Sequence, residues 1–329
     1  MKSRFTFLFS FLLLVSGGAA EEKKQPEPTE FIRFAEDASG ARLQTGIASY
    51  RNKAGVTVDL IGAIHVADKA YYEKLNERFQ SYDALLYEMV GGPIEKREKR
   101  SNVSEASTEE QAEEMAEAAA AEKLSWLHSL YDRMQSSLEL ESQMAIVDYH
   151  RPNFVHADMT VVQFTTLQKE RSESFLSLWW KAVQAQVDQP QQTSQPGLIK
   201  ILEILCRKDS ATELKRLIGR SFDEMESLMT GMETGDGTVI LTERNKVALA
   251  AMEKQIAAGK KKLGIFYGAA HLPDMEKRLL EMGFTLQKSE WLTAWDLPPE
   301  PVKKNGKEST FDDKSSSPPT NQGELPKSS

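Results

Sequence analysis

Apolar and polar positions follow two rhythms along this chain. Leu43 to Tyr50 and Val56 to Ile64 read as strands, joined by Arg51-Asn52-Lys53-Ala54-Gly55 as the turn of a hairpin. From Ala67 to Ser81 the period lengthens: Ala70, Tyr71, Leu75 and Phe79 recur at helical spacing. Asp83 to Tyr87 is again a short apolar strand, so the order is strand, helix, strand. The same order returns near the other end. Glu243 to Ala258 predicts a helix with Thr242 as its N-cap. Leu263 to Gly268 predicts a strand, and Pro273 to Met282 a helix with proline in its first turn. Phe284 to Trp295 predicts one or two further strands.

Between these halves the pattern differs. Residues 94–123 are dominated by Glu, Lys, Ala and Ser and predict a solvated helix or a disordered insert. The rest of the middle region, to residue 232, is helical by pattern, with Trp126, Trp179 and Trp180 as core candidates and a Gln- and Pro-rich break from Gln189 to Pro196. The expected fold is α/β: a mixed sheet built from two strand–GxxH–helix–strand repeats, with an inserted helical subdomain. The expected boundaries are 31–93 for the first half, 94–237 for the insert and 238–298 for the second half. Residues 21–30 form a flexible linker and 299–329 a disordered tail in this reading.

Both halves place one motif where a strand hands over to a helix. IGAIHVAD, residues 61–68, and YGAAHLPD, residues 267–274, each fit Gly-Ala-x-His-x-x-Asp. If the strands are parallel, His65, Glu88 and His271 all leave the same carboxyl edge, and the helix beginning at Glu243 brings Arg244 there. Open α/β sheets bind ligands outside that edge. Two histidines and a carboxylate suit a divalent transition metal such as Zn, Mn or Co, with His65 and His271 as metal ligands. Such an ion would activate water or polarise a carbonyl. Glu88 is a ligand or a general base. Arg244 stabilises an oxyanion, holds a substrate carboxylate, or forms a structural ion pair with Glu88 or Glu243. His150, His156 and Asp158 cluster in sequence and read first as surface or structural groups; His156 and Asp158, at i and i+2, would share one face of an extended segment and could add ligands or partners that support them, and His128 reads as a helix residue with no special role.

Composition narrows the classes. The 329 residues are 40% hydrophobic and 27% charged, enough apolar material for a sizeable core. The net charge of -8, with no basic face evident, argues against a nucleic-acid binder. Lys2 and Arg4, the apolar run Phe5 to Val15 and the small residues Ser16 to Ala20 read as a cleaved signal peptide, residues 1–20. The run is shorter than the roughly 20 residues a membrane-spanning helix needs. The expectation is an exported protein, periplasmic or secreted, with no stable membrane span after cleavage. Cys206 is the one cysteine, so no internal disulfide can form; it reads as a buried small hydrophobe.

The segments GAIHVADKAYYEKLNERFQSYDALLYE, TERN (242–245) and YGAAHLPDME resemble the TraB/PrgY/GumN family, within the wider Tiki-like superfamily. Members similarly carry two Gly-x-x-His motifs, a Glu ending the strand after the first, and an Arg in a Glu-Arg-Asp/Asn segment; here these are His65, Glu88, Arg244 and His271. The resemblance covers about residues 30 to 92 and 238 to 296. It implies an α/β fold with a site drawn from both repeats, and hydrolysis as the chemistry. Animal Tiki relatives are metal-dependent proteases, whereas erythromycin-esterase-like relatives look able to act through His and Glu without a metal. The expectation is therefore a metal-dependent, peptidase-like hydrolase acting on a peptide or small molecule. The alternatives are a metal-independent His/Glu hydrolase and a non-catalytic peptide-binding protein. Ala294 stands where a faithful second repeat would place an acid matching Glu88, which argues for an asymmetric site.

Overall fold

The computed structural model describes residues 29–93, 138–173, 211–220 and 237–300. The chain is mixed α/β. In order, the elements are β1 (Ile32–Asp37), β2 (Gly40–Arg51), β3 (Thr57–Ala63), the short β4 (Val66–Ala67), α1 (Lys69–Phe79), β5 (Ala84–Tyr87), β6 (Glu141–Ser142), α2 (Gln143–Ile146), β7 (Phe154–His156) and α3 (Val161–Glu170). Residues 211–220 are helical. A π-helical turn, Val239–Glu243, leads into α4 (Arg244–Ala257), followed by β8 (Lys262–Gly268), a 3-10 turn (Ala269–His271), α5 (Leu272–Glu281) and β9 (Thr285–Leu297).

The main sheet runs β1-β2-β3-β8-β5-β7, and β9 pairs with β2. The central strands β3, β8, β5 and β7 are mutually parallel. Their sequences explain this: Val58, Leu60, Ile61, Leu263 and Ile265 are fully buried or nearly so, as expected of strands covered on both faces. The predicted hairpin forms, with Ile47 opposite Ile61 and Arg51 opposite Thr57. Asn52 closes its turn by accepting the Val56 N–H at 3.0 Å, and Gly55 takes the positive φ of 79° that favours glycine. The sequence reading missed β1, which pairs with the first half of β2; at Gly46 that edge of β2 passes to β3.

Three local expectations are corrected. The buried stripe of α1 is Tyr71, Tyr72, Leu75 and Phe79, and Ala70 is exposed. The two tyrosines win because their hydroxyls reach backbone carbonyls that a methyl cannot: Gly62 O at 2.8 Å and Ile64 O at 2.7 Å. Thr242 is not an N-cap. Thr238 caps the π-helical turn by accepting the Leu241 N–H, and Thr242 Oγ1 instead accepts the Thr238 N–H at 3.1 Å. Third, the middle region is not purely a helical insert. Its β7 joins the main sheet beside β5, and its β6 pairs with β4 just after His65.

The two motif-bearing strands lie side by side in parallel, but one residue out of step: Ala63, not Gly62, is opposite Gly268. Beyond their helices the copies diverge. The strand after α1 is β5, parallel to β8, whereas the strand after α5 is β9, antiparallel to β2 at the other side of the sheet. Ala294 sits at a register shift in β9, where its carbonyl accepts the Asp68 N–H at 2.9 Å. The expectations for residues 1–28, the stretch 94–123, Trp126, His128, Trp179, Trp180, the Gln189 to Pro196 break, Cys206 and residues 301–329 lie outside the described residues. Among the described residues no helix is long and apolar enough to cross a membrane.

Candidate functional site

Three parallel strands end at one edge, and each delivers a polar residue. Glu88 follows β5, His271 closes the turn after β8, and Asp158 lies two residues beyond β7. The N-terminus of α4 adds Arg244 and Asn245 from across the edge.

Arg244 is the hub. Its Nε donates to Asp158 Oδ1 at 2.9 Å and its Nη2 to Asp158 Oδ2 at 2.6 Å. The same Nη2 donates to Glu88 Oε1 at 2.7 Å, and Nη1 lies 3.3 Å from His271 Nε2. The guanidinium is 9% exposed and the Asp158 side chain 0%, so the pair is shielded from water and strong in geometry. The structural ion pair with Glu88 expected as one option is present; the one with Glu243 is not, because Glu243 pairs with Arg171 and Lys246.

Asn245 fixes the state of His271. The Asn245 amide nitrogen donates to His271 O at 3.1 Å and to Asp274 Oδ2 at 2.8 Å, so its Oδ1 faces the imidazole. His271 Nδ1 donates to that oxygen at 2.7 Å, which leaves Nε2 with a lone pair directed into the site. Burial pulls the imidazole down to about 4, with Glu88 and Asp158 opposing and Arg244 and His65 reinforcing. His271 is therefore neutral at pH 7, with Nε2 3.6 Å from Glu88 Oε1.

Burial alone would raise the Glu88 carboxyl. The positive neighbourhood of His271, Arg244 and His65, with the Gly268 N–H, outweighs it and holds the carboxyl well below the usual carboxylate range. At neutral pH Arg244 and the 2.6 Å hydrogen bond from Gly268 N–H carry this effect, since His271 is then uncharged. Gly268 has room for that bond because it lacks a Cβ; one placed there would stand 3.3 Å from Glu88 Oε2. Gly62 has a different role. A Cβ there would meet Gly46 O at 3.1 Å and Phe31 O at 3.2 Å, so the first motif's glycine serves backbone packing.

His65 is exposed at the bend after β3, and its carbonyl accepts the Gln143 N–H at 2.9 Å. It acts electrostatically on both Glu88 and His271. The structure thus brings Glu88, Arg244 and His271 into contact, with His65 at the rim. His156 is elsewhere: its Nε2 bonds Met89 O at 2.7 Å and its ring meets Tyr87 edge-on. His150 is exposed. Asp158, read from the sequence as a structural group or a supporting partner of the site, is the residue that holds Arg244; the strand that delivers it left only the short apolar pair Phe154-Val155 as a signal. Tyr267, next to Gly268, donates to Ala157 O at 2.5 Å and fastens the β7 end against β8.

The donor set suits a transition metal in kind. His271 has its outer nitrogen bonded to Asn245, as metal-bound histidines do, while its Nε2 lone pair meets Arg244 Nη1 at 3.3 Å and would have to leave that contact to ligate an ion. Glu88 is ionised, and His65 is open to solvent. In the described arrangement Glu88 and Nε2 face Arg244, and among the described residues no three ligating side chains stand together as a ready cage. Asp158 holds Arg244 through two hydrogen bonds of its own, so the guanidinium stays paired if Glu88 takes another cation.

No protein-family model, no curated protein and no solved structure matches this chain.

Proposed function

We propose that this chain is an exported, peptidase-like hydrolase whose reaction takes place at the carboxyl edge of β3, β8 and β5. The observation that carries the reading is a neutral His271, pinned by Asn245, with its Nε2 lone pair 3.6 Å from the ionised Glu88 and beside Arg244. A base, a carboxylate and a fixed positive charge in one largely buried cluster are the elements of acyl-group hydrolysis. The resemblance to the TraB/PrgY/GumN family supports the same class. A Zn, Mn or Co ion held by His65, Glu88 and His271 would supply Lewis acidity and a water acidified for attack. With such an ion bound Glu88 would be one of its ligands; without one, the ionised Glu88 orients the attacking water and His271 Nε2 accepts its proton. Arg244 faces the oxygen that gains charge as the carbonyl is attacked. Asp158 and Asn245 touch no substrate and position Arg244 and His271.

A second reading is favoured by one distance. Arg244 Nη1 stands 3.3 Å from His271 Nε2, where it fills the cation's place itself and leaves His271 and Glu88 as a metal-free acid–base pair.

The experiment is turnover of a quenched peptide library by the purified full chain, made without a metal-chelating tag. It is run as isolated, after chelation, and after resupply of Zn, Mn or Co. Activity lost on chelation and restored by one ion supports the metallohydrolase. Activity indifferent to chelation supports the second reading. Absence of turnover under all conditions overturns the proposal in favour of a binding protein.

A further inference from the structure

A concave site lies at the opposite edge of the sheet. Thr57 and Lys262, the first residues of β3 and β8, line a cavity of about 370 Å³ together with Ser49, Arg51, Arg78 and Lys288. With β3 seven residues long, it stands about 20 Å from the candidate catalytic edge. Its volume is within the range of small-ligand pockets.

The charge around it runs against the rest of the chain. The whole sequence carries -8, yet Arg51, Arg78, Lys262 and Lys288 line this cavity, and among the described residues Asp59 is the only carboxylate that does. Asp59 is buried and already engaged: it accepts Tyr82 Oη at 2.6 Å and Arg78 Nη2 at 3.3 Å. Arg78 is matched by Asp59 and by a close pairing with Glu290, so it builds the wall. The remaining cations are not matched in this way. Lys262 Nζ is held by Ser81 Oγ at 2.9 Å and lies 5.2 Å from the Tyr82 ring centre, contacts that place the ammonium without neutralising it. Asp83, the nearby acid, spends one carboxylate oxygen on the backbone N–H groups of Lys261 and Lys262 and acts on the Lys262 ammonium electrostatically without pairing with it. Lys288 Nζ approaches Glu290 only to 4.0 Å. Arg51 adds a guanidinium from the end of β2.

We propose that this cavity is a binding site for a small polyvalent anion of the phosphate class. Lys262, Arg51 and Lys288 supply the charge, and the hydroxyls of Ser49 and Thr57 supply neutral donors. A tetrahedral oxyanion offers acceptors in several directions at once, as this spread of ammonium, guanidinium and hydroxyl groups requires. The site is independent of the hydrolytic reading at the other edge.

The test is calorimetric titration of the full chain with pyrophosphate at low salt, with malonate as the carboxylate comparison. Lys262 and Arg51 are exposed, so Lys262→Gln with Arg51→Gln leaves the core intact, which circular dichroism checks. The expected result is saturable pyrophosphate binding that weakens at least tenfold in the double variant, weakens with added salt, and persists in His65→Ala. No binding at millimolar pyrophosphate, equal binding by the double variant, or loss in His65→Ala would each overturn the proposal. Malonate binding as tightly as pyrophosphate would overturn the phosphate assignment.

Discussion

Asp158 grips Arg244 through two charge-assisted hydrogen bonds, 2.9 and 2.6 Å long, across 86 residues of chain. That clasp sets the position of the guanidinium against which Glu88 and His271 are arranged. Breaking it leaves the buried guanidinium with Glu88 as its remaining carboxylate partner and its Nε unpaired, which costs about 1–3 kcal/mol. Asp158→Ala is therefore expected to lower stability by that order in chemical denaturation, and Asp158→Asn by less, since the amide keeps one acceptor. A Asp158→Ala variant as stable as the parent would mean that the clasp is not formed in solution.

Asn245 acts through His271. Asn245→Ala removes the acceptor for Nδ1–H and frees the imidazole to place its proton on Nε2, the nitrogen that faces Glu88. The expected outcome is a fall in kcat on the order of 10- to 100-fold with KM nearly unchanged. A change in the pH profile of kcat, which a packing defect alone would not move, distinguishes this from a loss of packing.

Stability should fall on mild acidification. In the unfolded chain the imidazole takes up its proton near 6.5, while in the folded chain burial delays this to about 4. Between those values the unfolded state binds more protons, so the free energy of unfolding decreases as pH drops, by about 3 kcal/mol at most. Glu88 acts in the same sense at lower pH, since its carboxyl is held below the ordinary 4.5 and its contribution is lost as pH falls through and below that value. Denaturation midpoints measured from pH 7.5 down to pH 4 should decline, and His271→Gln should flatten the upper part of the slope. Parallel profiles for the two proteins would show that His271 is not the buried neutral group described.

The two motif glycines should respond differently to alanine. At Gly62 the added methyl meets backbone oxygens of Gly46 and Phe31, which cannot swing away, and a cost of about 1–3 kcal/mol follows. At Gly268 it meets the Glu88 carboxylate, which can move. Gly268→Ala is expected to lower turnover more than stability. Thermal melts and turnover measured on both variants check this, and equal effects on stability would contradict it.

Much of the site could be read from the sequence because its parts end periodic segments. His65, Glu88 and His271 each follow a short apolar run, and parallel strands carry such termini to one edge. What could not be read came from longer-range pairing. The three residues of β7 are too few to stand out as a strand in a region of helical pattern, and only their pairing with β5 brings Asp158 to the site. The role of Asn245 depends on which way an amide faces, and His271 O and Asp274 decide that in three dimensions. The repeat suggested a symmetry; its two motif strands, β3 and β8, are parallel neighbours but one residue out of step. It ends at β9, because β2 offers a long antiparallel edge from Ala41 to Arg51.

The most direct test of the hydrolytic reading is one comparison, turnover of the quenched peptide library by the full chain and by Glu88→Gln under the same metal supply. The account predicts measurable cleavage by the parent and a loss of at least about 100-fold in the variant. Cleavage that survives Glu88→Gln unchanged would contradict it.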